Sequence, residues 1–202
     1  GASTQIPARA ANPLLEPSQL PYGVVPFDRL QPSDYENAVR EGIKQHIQEI
    51  DAITSNPESP TFENTIVALD RSGSTLTIAQ LALSNVEHAT GDTVLMRITS
   101  ELTPELTRHS TDIMLNEKLW QRVKEVYNNR ASRTDLTPED QRLIELTYKS
   151  FEESGANLSA EAREKYRKLT AELSNLNIRF AQNVTNGMKD PERRMWLTLD
   201  QL

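Results

Sequence analysis

The fold class this sequence predicts is all-α: a bundle of long antiparallel helices with an extended N-terminal arm and a strand-like C-terminal end. Three observations predict it. Apolar residues recur at steps of three and four through most of residues 33–184. Residues that start helices, among them Ser33, Thr61, Asn116, Thr137 and Ser159, stand ahead of those periods. More than half of the eleven prolines crowd into residues 1–32, where no helical period is present.

The elements follow in order. The arm, "NPLLEPSQLPYGVVPFDRLQPS", carries Leu14, Leu15, Leu20, Tyr22, Val24, Val25 and Phe27. These are too many apolar residues for a free tail, so the arm is expected to lie along the helices that follow. Ser33 with Glu36 reads as a capping box, and Val39, Ile43, Ile47 and Ile50 form one face behind it. Asn56-Pro57 ends that helix. Phe62, Ile66, Leu69, Gly73, Leu76 and Leu83 then keep one register. Because Gly73 falls in that register, the pattern predicts one long helix over about 61–88, with Gly73 admitting another backbone. Thr90-Gly91-Asp92 reads as a stop and restart.

Leu95, Ile98, Leu102, Leu106, His109 and Ile113 form the next stripe, with Pro104 implying a kink or break near Ser100. Asn116 caps a helix carrying Leu119, Val123, Val126 and Tyr127. Thr137-Pro138 starts another, which stops at Gly155. Ser159 caps the last, whose stripe is Tyr166, Leu169, Leu173, Leu176 and Phe180. These stripes are read as core. "RRMWLTLDQL" has the composition of a strand. The organisation expected is a disordered start over 1–11, one helical domain over 12–188, and the start of a strand over 189–202.

The composition excludes several classes. The 22 Lys+Arg against 29 Asp+Glu give a net charge of −7, and no basic stripe exists, which argues against nucleic acid or an anionic membrane as partner. No cysteine is present, so disulfides and thiol chemistry are excluded. No run is long enough to span a bilayer as a helix. Gly1-Ala2 in place of a methionine reads as a tag remnant and a trimmed start, from which an exported, periplasmic location is expected, with a cytoplasmic one as the alternative.

A helical zinc peptidase site needs H-E-x-x-H, which puts two ligands on one face. His46, His88 and His109 are followed by "IQEI", "ATGD" and "STDI". His109 on its apolar stripe, and His46 beside one, read as buried or boundary histidines with hydrogen-bond partners. His88 stands near a helix end, where the dipole favours an imidazolium. Glu152-Glu153 and Glu139-Asp140 point apart on a helix and read as surface or cap. No serine sits in a G-x-S-x-G elbow, and no glycine-rich phosphate loop occurs. The residues thus offer no catalytic, cofactor-binding or metal-binding position. Two classes remain: part of a larger enzyme, or a free-standing helical binding or scaffold module.

The arm and first helix, "NPLLEPSQLPYGVVPFDRLQPSDYENAVREGI", resemble those of bacterial peptidyl-dipeptidases. These are dipeptidyl carboxypeptidases within the thimet-oligopeptidase-like zinc metallopeptidases. "PTFENTIVALDRSGSTL" resembles that family's F-E-N-T-I-x-A-L-E-x-S-G-x-x-L, with Asp70 in place of the usual glutamate. "IMLNEKLWQRVKEVY", "LTPEDQRLIELTYKSFEESGANLS" and "LTAELSNLNIRFAQNV" follow in the family's order, so the resemblance covers residues 12–202. It implies a helical, two-lobed zinc peptidase with a deep channel that admits short peptides and releases C-terminal dipeptides. The implied zinc, its H-E-x-x-H helix and the remaining C-terminal part of the chain lie downstream of Leu202. This chain would be the inactive N-terminal portion, forming part of the channel wall.

Overall fold

In a computed structural model, residues 11–18, 20 and 23–189 are described. Those residues are mostly helical, joined by short loops, with no strand among them. The helices are α1 (Pro32–Thr54), α2 (Ala68–Arg71), α3 (Ser74–Thr90), α4 (Thr93–Met114), α5 (Glu117–Asn129), α6 (Pro138–Glu153) and α7 (Ala160–Lys189). A π-helical turn, Phe62–Val67, runs directly into α2. Of the strand expected over 189–202, Lys189 is instead the last residue of α7, and residues 190–202 lie outside the described residues, as do the trimmed start and residues 1–10 of the expected disordered start.

Most helix ends follow from the side chains that bond their free N–H groups. Asn116 and Thr137 accept from Leu119 N and Asp140 N. Ser159 accepts from Ala162 N. Asp92 caps α4, and Gly91 closes α3 in the left-handed region. Gly155 ends α6 in a Schellman turn, its N–H on Glu152 O and that of Ala156 on Phe151 O. The start of α1 is a correction. Gln31, not Ser33, is its N-cap, Pro32 is the first helical residue, and Asp34 replaces Glu36 as the reciprocal partner. The pre-set φ of Pro32 favours the earlier start. Glu36 instead pairs with Arg40 one turn on. Pro104 sits inside α4, which continues to Met114 without a break.

The predicted single helix over 61–88 is the larger correction. The chain leaves the helical path at Ser72, whose ψ is 156°, and Gly73 takes φ 72°, ψ 19° as the N-cap of α3. Gly73 therefore marks a break, and no backbone packs on it. A Cβ there would lie 2.8 Å from His46 Nδ1. The glycine that admits a neighbouring backbone is Gly42 of α1, where a Cβ would lie 2.6 Å from Leu76 Cα. The apolar register runs through the break, yet Phe62 and Ile66 before it and Leu76 and Leu83 after it enter different hydrophobic clusters.

The buried side chains form two cores. The first holds Tyr35, Ala38 and Val39 of α1, Leu76, Ala79 and Leu83 of α3, and Leu95, Ile98 and Leu102 of α4. Leu14 of the arm enters it, with Val25 and Leu30 packed beside it. Asn12 Nδ2 donates to Asp34 O at 2.8 Å, which fastens the arm. Leu15, Val24 and Phe27 stay exposed, so only part of the arm's apolar content is used. The second core joins Ile50 and Ile53 of α1 to Phe62 and Ile66, to Trp120 and Val123 of α5, and to Ile144 and Phe151 of α6. Tyr127 stacks on Tyr148 at 3.9 Å, and Trp120 lies over Phe151. Each fully buried Ile, Leu or Phe contributes roughly 1.5–3 kcal/mol, so these two clusters supply most of the driving force.

Helix α7 overturns the reading of its stripe as core. It packs on α4 through Thr107 Oγ1···Ser174 Oγ at 3.2 Å and Arg167–Asp112 at 3.1 Å, and on α5 through Arg163–Glu117. Ser174 is its buried residue, whereas Leu173 is 58% and Phe180 71% exposed. No α7 residue belongs to either core. Both cores are already closed by the earlier helices, so α7 meets α4 with its small polar face.

Three glycine substitutions test this packing. Gly42→Ala should lower stability by about 1–3 kcal/mol in urea unfolding, because α1 and α3 must separate. Gly73→Leu should cost at least about 2 kcal/mol, from left-handed strain plus displacement of the His46 ring. Gly91→Ala, with open space around it, should cost only about 1 kcal/mol. An unchanged midpoint for Gly42→Ala would refute the close α1–α3 approach.

Candidate functional site

Helices α1 and α4 each run from one core to the other, and the chain passes between cores at Ser72-Gly73. At that seam the apolar stripes are interrupted by polar groups. His109 Nε2 lies 3.0 Å from His46 Nδ1, and His46 Nε2 lies 2.9 Å from Ser72 Oγ. Ser72 Oγ in turn donates to Leu69 O at 2.6 Å. The proton positions follow by elimination. Since the Ser72 hydroxyl proton is directed at a carbonyl, its oxygen accepts from His46 Nε2–H. His46 Nδ1 then accepts from His109 Nε2–H. A single relay of two neutral imidazoles satisfies every bond. Beside it, Gly73 N–H donates to Glu49 Oε2 at 2.6 Å, so a carboxylate holds the left-handed residue in place.

His109 is 8% exposed and His46 half-buried, as their sequence positions predicted. Burial lowers both pKa values. For His46 the Glu49 carboxylate opposes the shift; for His109 the neighbouring His46 adds to it and Asp112 opposes it. The contact between His46, His109 and Ser72 was not foreseen. Its signal was the coincidence of a histidine and a glycine on two apolar registers, but residues 63 positions apart meet only in the fold. His88 is exposed near the end of α3, with Nδ1 on Ser84 O.

A serine bonded to a histidine invites comparison with a nucleophile and its base. The geometry opposes that role. Ser72 has committed its proton to Leu69 O, and the adjacent Gly73 N–H, which an oxyanion would need, is taken by a carboxylate. Nor does the donor set fit zinc. The facing nitrogens of the two imidazoles bond each other, and no group of three potential ligands occurs among the described residues. The seam's chemistry is that of a fastening. Two grooves flank it, of about 570 and 300 Å³, and His109 borders both. The larger is lined by His46, Ser72, Ser110, Leu146 and Ser150, with Asp70 at its exposed rim.

The "FENT" stretch is equally structural. Thr61 and Asn64 cap each other, at 2.8 and 3.1 Å. Phe62 and Ile66 enter the second core. Glu63 bonds Arg133, which also bonds Asp135 and draws that carboxyl down to about 2. Arg122, buried on α5, donates to Asn64 Oδ1 and to the carbonyls of Asn56 and Glu58. The side chains of the motif thus hold the turn, the core and the loop before it, and Glu63 ties it to the loop ahead of α6.

Fold and seam together define a helical packing domain whose distinctive residues are architectural. Comparison with known proteins finds peptidases similar to it. The chain is similar to dipeptidyl carboxypeptidase of Salmonella typhimurium, 34% identical over 180 residues, which cover 89% of this chain and 26% of that protein. It is also similar to dipeptidyl carboxypeptidase of Escherichia coli, 35% identical over 178 residues (88% and 26%). Oligopeptidase A of Haemophilus influenzae is 29% identical over 177 residues (88% and 25%). No protein-family model matches the chain. The chain is a homologue of dipeptidyl carboxypeptidases and oligopeptidase A, matching their N-terminal portion. It spans about a quarter of the length of these relatives. No helix among the described residues is long and apolar enough to cross a membrane.

The buried imidazoles make stability depend on pH. In the unfolded chain histidine protonates at about 6.5, above the values in the fold, so the unfolded state binds more protons in acid. The seam's contribution is complete above about pH 6.5 and is lost as pH falls through the folded values. The thermal midpoint should therefore drop between roughly pH 7.5 and 5.5, and His109→Gln should flatten that slope. An equal slope in the variant would show that other groups carry it.

Proposed function

We propose that this chain is the non-catalytic N-terminal helical portion of a zinc metallopeptidase that removes C-terminal dipeptides from short peptides. The observation that carries the reading is identity of 34–35% over nearly nine-tenths of the chain to two dipeptidyl carboxypeptidases. In this reading residues 12–188 form one domain and contribute part of the wall of a substrate channel. The zinc and the water-activating glutamate belong to the rest of the polypeptide, because the donor sets described above do not fit the metal. The metal's chemistry there would be polarisation of the peptide carbonyl and activation of water. The side chains of this portion support that chemistry only by shape: two cores, a hydrogen-bonded seam and capped helix ends keep the wall rigid.

The test compares the full-length protein with residues 1–202 alone. The full-length protein should release dipeptides from short peptides with a free C-terminus, spare the same peptides when C-terminally amidated, and lose activity to a zinc chelator. Residues 1–202 alone should show no turnover. Hydrolysis by the isolated chain, or a full-length protein indifferent to chelation and to the C-terminal amide, would overturn the reading.

A further inference from the structure

We propose that the exposed apolar ridge of α7 is a docking seam for a helix supplied by the part of the same polypeptide that follows residue 202. This rests on the reading of the chain as one portion of a longer peptidase. The ridge is built from Tyr166, Leu169, Leu173, Leu176 and Phe180, each at least 36% exposed. Val184 and Met188 continue it at 44% and 73%. At 1.5 Å per residue it extends for about 33 Å. A soluble monomer rarely leaves so long a contiguous apolar surface in water.

The spacing indicates the occupant's form. Steps of three, four, three and four are the a/d pattern of a helix that receives another helix knobs-into-holes. The face turned to α4 is different: Ser174, Thr170 and Arg167 lie about 120° round the helix from the ridge, at 100° per residue. The two contacts therefore do not compete, and α7 is a two-sided helix with one side filled.

Charge and length identify the source. Lys165, Glu172 and Arg179 border the ridge at intervals of seven, all exposed. If a second copy met the ridge antiparallel about its centre, Lys165 would face Arg179 and Glu172 would face its own counterpart. Those like-charge pairs disfavour self-association in that register. A helix carrying acidic, basic and acidic residues along one border would suit it. The aligned carboxypeptidases have roughly three-quarters of their length outside the aligned region, which is ample chain to supply it.

The test is photo-crosslinking in the full-length protein. A photoreactive p-benzoylphenylalanine is placed at Leu173 or Phe180, and at Lys168, which is exposed on the other flank of α7, as control. Product should form several-fold more at Leu173 and Phe180 than at Lys168 and should map within the same polypeptide beyond residue 202. Product joining two copies, product confined to residues 1–202, or yields no greater than at Lys168 would overturn the proposal. Failure is separable from that of the peptidase reading. A full-length protein that hydrolyses peptides but gives no ridge cross-link refutes only the docking seam. One that cross-links but lacks peptidase activity refutes only the proposed chemistry.

Discussion

Between the two cores, a relay of hydrogen bonds running from His109 through His46 to Ser72 joins α4, α1 and the break between α2 and α3. Glu49 fixes Gly73 beside it. Each element on the seam changes core there: α1 and α4 by continuing, the chain from α2 to α3 by breaking. A polar group buried between apolar layers is costly unless every bond is made, so the seam admits few alternative arrangements. Sliding α1 by one residue against α4 would separate the imidazoles and leave both of the facing ring nitrogens without their bond. The two cores are thereby held in one register with respect to each other.

Arg122 does for the second core what the imidazoles do for the seam. Its guanidinium gathers Asn56 O, Glu58 O and Asn64 Oδ1, so the loop after α1 and the π-helical turn become one unit with α5. Its Nε is buried without a partner, a cost that the three charge-assisted bonds outweigh. The conspicuous "FENT" stretch owes its character to this junction. A turn that must cap itself, fill a core and answer a buried arginine has little freedom in composition.

Much of the fold was legible in the residues because the signals are local. Asn116, Thr137 and Ser159 bond N–H groups three residues away, so their caps could be read directly, as could the ends at Gly91 and Gly155. The burial of His109 followed from its place on an apolar period. The break at Ser72-Gly73 was missed for a definable reason: a two-residue interruption preserves the period, and period was the criterion. The start of α1 was misplaced because two overlapping cap patterns, Gln31–Asp34 and Ser33–Glu36, compete, and the ring of Pro32 decides between them.

By itself the sequence determined the helical class, many of the helix boundaries and the exclusion of cysteine chemistry, since these depend on short-range bonding and residue order. Tertiary structure alone decided which histidine meets which serine, which glycine admits a backbone, and which apolar stripe becomes core. Leu102 and Leu173 sit in equally regular stripes, yet one is fully buried and the other exposed. Periodicity tells a helix which face is apolar. What covers that face depends on how much partner surface the rest of the chain has left, a property of the assembled molecule that no local window contains.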